Sequence, residues 1–261
     1  REQVTEWQLA DLDDLNTRFF VDERALTESY TDWIEQVGVD GFRIDTVKHV
    51  EYDFWTDFIH GPDGVNPVAA ATGRDNFLSF GEAFYESAPY DDEGEKQVAS
   101  YLGTPDEPLL PTVLNFPMHF TVNRVFGGGA ATDTMRYRLE ATNTHFPDPT
   151  ALPVFIDNHD VDRFLAQGSE AGLRQALLFT MTAPGIPVIY YGTEQGCIER
   201  RSSMFAEGYG SNGRDHFDTT SDLFRYTQAV IELRKENPIF ARGALQPLPG
   251  DPDSPGLLAY K

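Results

Sequence analysis

The apolar residues of this chain follow two alternating spacings, which predict strands and helices in turn. Short apolar runs bounded by glycine, proline or polar residues predict five strands, at residues 37–47, 77–81, 112–116, 152–156 and 186–191. Around them, apolar residues three and four positions apart predict helices at residues 22–36, 50–59, 132–143, 171–182 and 221–235. Strands that alternate with helices are typical of a parallel sheet in an α/β protein.

The first predicted strand carries a charged pair. Arg43 and Asp45 are two residues apart, so both side chains leave the strand on one face. A guanidinium beside a carboxylate orients it and lowers its pKa, which suits a nucleophile. A structural ion pair at the end of a strand is the alternative interpretation.

Two further carboxylates lie at the ends of later strands. Glu82 follows the second strand, and Asp160 closely follows the fourth. In a β/α barrel the ends of several strands together build the catalytic face. Three carboxylates there indicate glycoside hydrolysis by a carboxylate pair, with a third acid holding the sugar. The apolar and aromatic neighbours of Glu82 disfavour its charged form, namely Phe80, Ala83, Phe84 and Tyr85. A carboxyl that keeps its proton suits the proton donor, although a capping or structural role is the alternative.

His159 stands beside Asp160 in the polar cluster DNHD, residues 157–160. A single histidine is more often part of the core, but this polar setting at a strand end favours contact with a ligand. The aromatic residues Phe84, Tyr85 and Tyr190 lie near strand ends, and we expect them either to line a cleft and stack on sugar rings or to belong to the core.

Composition narrows the choice of partners. The chain has 261 residues and is 40% hydrophobic, enough for one large domain or two small ones. A net charge of −22 argues against nucleic acid and anionic membranes as partners. The negative net charge fits a neutral substrate and an extracellular or periplasmic setting, although a need for solubility alone also explains this charge.

Cys197 is the single cysteine, so no intrachain disulfide is expected. No signal peptide or membrane span is visible.

Three segments carry a family resemblance. GVDGFRIDTVKH (38–49), GEAF (81–84) and FIDNHD (155–160) resemble three conserved regions of the α-amylase family of retaining α-glucan enzymes. They stand in the family's order, with separations of 37 residues from Asp45 to Glu82 and 78 from Glu82 to Asp160. LADLD (9–13) resembles another family region, with Ala10 where proline is usual, and YYGTEQ (190–195) resembles the segment after the last barrel strand.

The resemblance implies a role for each matching residue. Asp45 would be the nucleophile, Glu82 the acid/base, and Asp160 the residue that grips sugar hydroxyls. Substrate-binding roles follow for Arg43, Lys48, His49, Phe84, Tyr85 and His159, with Lys48 and His49 on the leaving-group side. In the family, a carboxylate at the position of Asp11 and the backbone carbonyl at the position of His49 help to bind a structural calcium ion, a hard cation that oxygen ligands suit.

The resemblance also implies a (β/α)8 TIM barrel, of which strands four to eight are present. The family's first conserved region, an Asp…Asn-His motif, is absent, because the only Asn-His lies at 158–159. We therefore expect residues 1–20 to end an inserted loop domain, residues 21–245 to form the C-terminal part of the barrel, and residues 246–261 to be a linker and the first strand of a C-terminal β-domain. A missing N-terminal part of the barrel would then be a partner of this chain.

The function implied is hydrolysis of α-1,4-glucosidic bonds in starch-like glucans with retention. An α-glucan transferase or an α-glucosidase of the same family shares the three carboxylates, and the loop at residues 197–220 would decide between them. A non-catalytic glucan-binding homologue is a further alternative, although such members tend to lose these carboxylates.

Overall fold

A computed structural model describes residues 15–261, so Asp11 and the LADLD segment lie outside the part described. This part divides into two compact units: residues 15–85 with 96–114, and residues 86–95 with 115–261. The strands are β1 Gly41–Ile44, β2 Leu78–Gly81, β3 Thr112–Val113, β4 Pro153–Phe155 and β5 Ile186–Val188. The α-helices are α1 Phe20–Asp32, α2 Tyr52–His60, α3 Val65–Ala71, α4 Glu93–Ala99, α5 Phe116–Val122, α6 Asp133–His145, α7 Phe164–Gln167, α8 Glu170–Thr182, α9 Asp222–Glu236 and α10 Ile239–Arg242.

The first unit contains a parallel three-stranded sheet in the order β1–β2–β3. Its register pairs Ile44 with Gly81 at the ends of β1 and β2. Hydrogen bonding continues past the strands, because the backbone N–H of Glu82 donates to the carbonyl of Ile44 at 2.8 Å. The residues that follow β1 and β2 therefore lie side by side.

The predicted first strand is wrong at both ends, because the extended segment is only four residues long. Before it, a π-helical turn, Trp33–Val37, extends α1 and ends at Gly38, whose φ of 82° is a conformation that glycine adopts without strain. After it, Thr46 turns the chain and Val47–His49 forms a 3-10 helix. The N–H of Val47 donates to the carbonyl of Glu82 at 3.0 Å, which fixes this turn.

Two prolines lie in the first turns of helices, and the second of these helices begins at residue 116, the last residue of the predicted third strand. Pro67 lies in the first turn of α3 and Pro117 in the first turn of α5. Proline is tolerated there because the first backbone N–H groups of a helix have no intrahelical acceptor. The Asn115 side chain accepts a hydrogen bond from the N–H of Met118 at 3.1 Å and caps α5.

The second unit contains the parallel pair β4–β5, with Phe155 opposite Val188. Buried side chains from β4 and from α5, α6, α8 and α9 form its core, including Met118, Val122, Met135, Leu139, Val154, Leu173, Leu177 and Val230. The predicted helices α8 and α9 are confirmed to within one residue at each end, and Ser169 and Ser221 cap them.

The C-terminal tail, residues 246–261, contains no strand longer than a single bridge, and its assignment to a C-terminal β-domain stays a prediction. It forms a single antiparallel bridge between Pro247 and Tyr260, flanked by paired hydrogen bonds between Gln246 and Lys261 at 2.7 and 2.9 Å. Four prolines between residues 247 and 255 remove N–H donors that a longer ladder would need.

No helix within residues 15–261 combines the length and the apolar composition that a membrane span requires.

Candidate active site

Arg43 joins the two predicted catalytic carboxylates of the first unit. Its Nη1 lies 2.6 Å from Oδ1 of Asp45, and its Nη2 lies 3.3 Å from Oε1 of Glu82. Asp45 follows the last residue of β1 and Glu82 the last residue of β2, so the strand register places both beside one guanidinium. The planar guanidinium carries N–H donors on both terminal nitrogens, so it can contact two carboxylates at once.

The two carboxylates have opposite environments. The side chain of Asp45 is 61% exposed, whereas that of Glu82 is 8% exposed. Burial, followed by a side-chain hydrogen bond with Asp45, raises the pKa of Glu82 from 4.5 to about 7, although the charge of Arg43 opposes the rise. Glu82 can thus hold a proton near neutral pH beside an exposed carboxylate, as an acid paired with a nucleophile requires.

Thr46 adds a contact that the sequence did not reveal. It has φ 49° and ψ 35°, a left-handed conformation that is rare for a β-branched residue and costs about 1–3 kcal/mol. In this conformation its backbone N–H points to Oε2 of Glu82 at 3.4 Å. The same turn starts the 3-10 helix that carries Lys48 and His49.

The predicted substrate-binding residues Lys48, Phe84 and Tyr85 lie together. Nζ of Lys48 is 5.5 Å from the ring centre of Tyr85 and 6.0 Å from that of Phe84. The Tyr85 ring stacks on the buried Tyr101 at 6.5 Å, so the core interpretation fits it in part. Phe84 is exposed and is the better placed of the two rings for a ligand.

The predicted calcium ligands are only partly described. His49 belongs to the 3-10 turn, where its N–H bonds to the carbonyl of Thr46 at 2.9 Å, and Asp11 is not described. Within residues 15–261 no three acidic, histidine or cysteine side chains are grouped to hold a metal ion. The described side chains therefore do not form a metal site, and calcium stays a prediction.

In the second unit, Asp160 binds two partners. Its Oδ2 lies 3.0 Å from Nε2 of His159, and its Oδ1 lies 2.8 Å from Nη2 of Arg201. Arg201 also donates from Nε to the backbone carbonyl of His159 at 3.0 Å. The Asn158 side chain shapes this loop by accepting from the N–H groups of Asp160 and Val161. Arg201 was not among the predicted site residues, because the sequence distinguishes it only as one of two adjacent arginines, Arg200 and Arg201, in a long loop.

Asp157, in the same motif, is a buried structural residue. Its Oδ1 accepts from Thr193 at 2.8 Å and its Oδ2 from the N–H of Phe164 at 3.2 Å, and burial raises its pKa. The buried Arg163 reinforces this support, since it donates to the carbonyl of Tyr191 at 2.7 Å and lies 4.1 Å above the Tyr190 ring. Tyr190 is thus partly covered by Arg163.

Comparison with known proteins agrees with these motifs. Residues 5–215 match the family model Alpha-amylase, described as the catalytic domain of alpha amylase. The chain belongs to the α-amylase family. It is 32% identical to an α-amylase of Streptomyces lividans over 93% of this chain and 28% of that protein. It is 30% identical to a cyclomaltodextrin glucanotransferase of Thermoanaerobacterium thermosulfurigenes over 91% of this chain and 30% of that protein. The chain thus spans less than a third of the length of these α-amylase family relatives.

Solved structures of α-amylase family enzymes share the fold. An Anoxybacillus α-amylase aligns with a TM-score of 0.79 and 25% identity, covering 99% of this chain and 53% of that one. A cyclomaltodextrin glucanotransferase with a three-domain ABC distribution aligns with a TM-score of 0.79 and 27% identity, covering 99% and 49%. The predicted (β/α)8 fold class is supported, while the numbering of these strands as the fourth to the eighth stays a prediction.

Proposed function

We propose that this chain carries the catalytic carboxylates of an enzyme that hydrolyses α-1,4-glucosidic bonds in starch-like glucans with retention. The observation that carries the proposal is the pair Asp45–Glu82 on one guanidinium, with one carboxylate exposed and the other buried and protonated near neutral pH. Titratable neighbours with different environments are the usual basis for assigning an acid and a nucleophile. The α-amylase and glucanotransferase relatives support the substrate class.

The closeness of the pair supports retention. Arg43 contacts both carboxyls, at 2.6 Å for Asp45 and 3.3 Å for Glu82. Inverting enzymes keep their two carboxyls roughly 6.5–9.5 Å apart to admit a water, whereas retaining enzymes hold them about 5–5.5 Å apart. A pair that shares one guanidinium fits the shorter separation better.

The reaction follows in two steps. Asp45 attacks the anomeric carbon and forms a glycosyl-enzyme ester while Glu82 gives its proton to the leaving glycosidic oxygen. Glu82, now ionised, takes a proton from a water, which attacks the same carbon and releases Asp45 as a carboxylate. Arg43 keeps the Asp45 side chain oriented and favours its ionised form, because a nearby cation stabilises negative charge.

Asp160 and His159 would hold sugar hydroxyls in this scheme. Asp160 is partly exposed and its two oxygens already accept from His159 and Arg201. Each carboxylate oxygen has two lone pairs, so both can still accept from a sugar. The predicted convergence of Asp160 with Asp45 and Glu82 in one pocket stays a prediction.

The experiment is a digest of maltoheptaose by the full-length protein, with products separated by chromatography and their anomeric form followed by proton NMR. Linear products released first as the α-anomer are expected. Products released as the β-anomer would contradict retention. The double variant Asp45→Asn with Glu82→Gln, which keeps shape and removes both charges, is the control for contaminating activity.

A transferase is the second candidate, because cyclomaltodextrin glucanotransferases are among the relatives and solved neighbours. Cyclic or longer products in the same digest would favour it, and release of single glucose units would favour an α-glucosidase. A non-catalytic glucan-binding protein would give binding without any turnover.

Calcium binding is proposed from the family resemblance, through the Asp11 carboxylate and the His49 carbonyl, and no catalytic step depends on it. Removal of the ion with EDTA from the full-length protein is expected to lower the melting temperature, and added calcium to restore it. Asp11→Asn should weaken this response. An EDTA-treated protein with an unchanged melting temperature and no bound calcium by mass spectrometry would contradict it.

A further inference from the structure

Three aromatic side chains stand exposed on the loop at residues 197–220. Phe205 is 66% exposed, Tyr209 82% and Phe217 51%. The rings of Phe205 and Phe217 touch edge to face, with centres 5.1 Å apart and planes at 60°. We call these three residues the aromatic patch. Exposed apolar surface grouped in one place often marks a binding site, whereas single exposed residues need no explanation.

Hydrogen bonds within the loop hold the patch in place. The N–H of Ser203 donates to the carbonyl of Tyr209 at 2.7 Å, and the N–H of His216 donates to the carbonyl of Met204 at 2.8 Å. The N–H of Ala206 donates to Oδ1 of Asp215 at 2.8 Å. Rings carried on a backbone fixed in this way lose little further freedom when a ligand binds, which favours affinity.

The same loop is attached to the predicted sugar site. Arg200 pairs with Asp162 at 2.5 Å, and Arg201 pairs with Asp160 at 2.8 Å and donates to the carbonyl of His159. Two adjacent arginines thus tie the loop that follows β5 to the loop that follows β4. The loop that carries the aromatic patch is therefore anchored at the predicted sugar site through Arg201.

We propose that the aromatic patch binds further glucose units of an α-glucan whose reacting sugar is held at Asp160, and so gives the enzyme a preference for long chains. The inference rests on the proposed function. The faces of a glucose ring present C–H groups, which pack on aromatic faces, while its hydroxyls stay at the rim in water. Such a ligand is neutral, so the net charge of −22 does not oppose it.

A second copy of the chain is the less suitable occupant. The patch exposes about 400 Å² in all, taking about 200 Å² for each full aromatic side chain. A stable protein interface covers about 800 Å² on each partner. The patch is therefore large enough for two or three sugars and too small for a dimer by itself.

The test compares Phe205→Ala and Phe217→Ala in the full-length protein. Half-saturating concentrations are measured for soluble amylose and for a chromogenic maltotrioside. Each variant should weaken amylose binding about threefold to tenfold, the loss of one aromatic contact, and leave maltotrioside hydrolysis within about twofold. Phe205→Trp should retain wild-type binding because it keeps a ring.

Ile198→Ala is the matched control, because Ile198 lies in the same loop, is 58% exposed and has no aromatic face. Near-UV circular dichroism checks that each variant folds. Unchanged amylose binding in Phe205→Ala and Phe217→Ala, or an equal loss of amylose binding in Ile198→Ala, would overturn the inference. Cleavage of the maltotrioside by the same proteins would leave the proposed function intact. Wild-type protein that cleaves neither substrate would instead overturn the proposed function. Concentration-dependent sedimentation abolished by Phe205→Ala would assign the patch to self-association and also overturn the inference.

Discussion

At the scale of single residues, the site depends on one arginine that serves two carboxylates of different exposure. Arg43 lies within 3.3 Å of both Asp45 and Glu82, yet only Glu82 is buried. The guanidinium therefore stabilises an ionised Asp45 in contact with water, while burial keeps a proton on Glu82 near neutral pH. The proposed division between the acid Glu82 and the nucleophile Asp45 therefore rests on burial, because both side chains contact the same guanidinium.

The nucleophile assignment predicts that Asp45→Asn abolishes turnover and leaves glucan binding nearly unchanged. The amide preserves the shape of the side chain but cannot attack the anomeric carbon. Steady-state hydrolysis of soluble starch and binding of maltoheptaose by calorimetry measure the two effects. Asp40→Asn is the control, because Asp40 is 92% exposed just before β1 and pairs with Arg74. Turnover by Asp45→Asn within about tenfold of wild type would remove Asp45 from the mechanism.

The pKa of Glu82 predicts the alkaline limit of activity. Above about pH 7 Glu82 loses the proton that the leaving oxygen needs, so kcat/KM should fall with an apparent pKa near 7. A pH profile on a chromogenic maltotrioside measures it. A profile that stays flat up to about pH 9 would contradict Glu82 as the acid.

The same pKa predicts how stability depends on pH. The pKa of Glu82 is about 7 in the folded state against an ordinary 4.5, so the folded state binds more protons between these values. The contribution is fully present below pH 4.5 and is lost as pH rises through about 7, with a total of about 3 kcal/mol. Glu82→Gln stays neutral and should lack this decline in urea unfolding. An equal decline in both proteins would assign it to other groups.

At the scale of elements, a buried ion pair holds the first turn of α4 and the residues just before it against α6. Arg138 of α6 pairs with Glu95, and the two side chains are 1% and 0% exposed. Arg138 also donates to the carbonyls of Ala88 and Asp91 at 3.0 and 2.9 Å, and Ser87 bonds to Glu95. Arg124 adds a further contact, since its Nη1 donates to the carbonyl of Ser87 at 2.8 Å.

Arg138→Met should lower the free energy of unfolding by about 3–5 kcal/mol, because it leaves the Glu95 charge buried without its partner. Arg136→Met is the matched control on the same helix, since Arg136 pairs with Asp133 and the exposed Glu140, and it should cost about 1 kcal/mol or less. Urea unfolding measures both. Adding Glu95→Gln to Arg138→Met should recover part of the loss. Equal costs at the two arginines would show that Glu95 is not held as a charge.

The helices were the best predicted elements, and the turns beside the site were the worst. Apolar spacing placed α8 and α9 correctly, since this signal lies within a few neighbouring residues. Thr46 bends away from the predicted strand because its neighbour Val47 bonds to the carbonyl of Glu82, a residue 36 positions after Thr46. Local spacing carries no information about such a distant acceptor.

At the scale of the whole molecule, the first unit exposes several large apolar side chains on and around one helix. Within residues 15–261, β1 pairs with β2 alone, and exposed large apolar side chains gather on and around α1, namely Phe19, Phe20, Val21, Trp33 and Val37. A strand edge and an apolar face of this kind favour association with further chain. The relatives are also more than three times as long as the matched segment.

Residues 1–261 expressed alone should therefore be molten, insoluble or inactive, and a longer natural chain containing them should fold and hydrolyse starch. At ~25 cal/mol per Å², about 400 Å² of uncovered apolar area removes ~10 kcal/mol, comparable with the whole stability of a domain. Near-UV circular dichroism, dye binding and starch hydrolysis compare the two proteins. A cooperative fold with full activity for residues 1–261 alone would contradict the predicted need for an N-terminal part of the barrel.

The order of strands and helices, the family and the three carboxylates followed from the sequence by itself, because each is recorded in short motifs and in the spacing of apolar residues. The tertiary structure decided which of those side chains meet and in what environment. Arg43 reaches Glu82 across 39 positions, and Arg201 reaches Asp160 across 41. Burial of one carboxylate and exposure of the other also depend on packing by distant segments, and the proposed roles of acid and nucleophile rest on this difference.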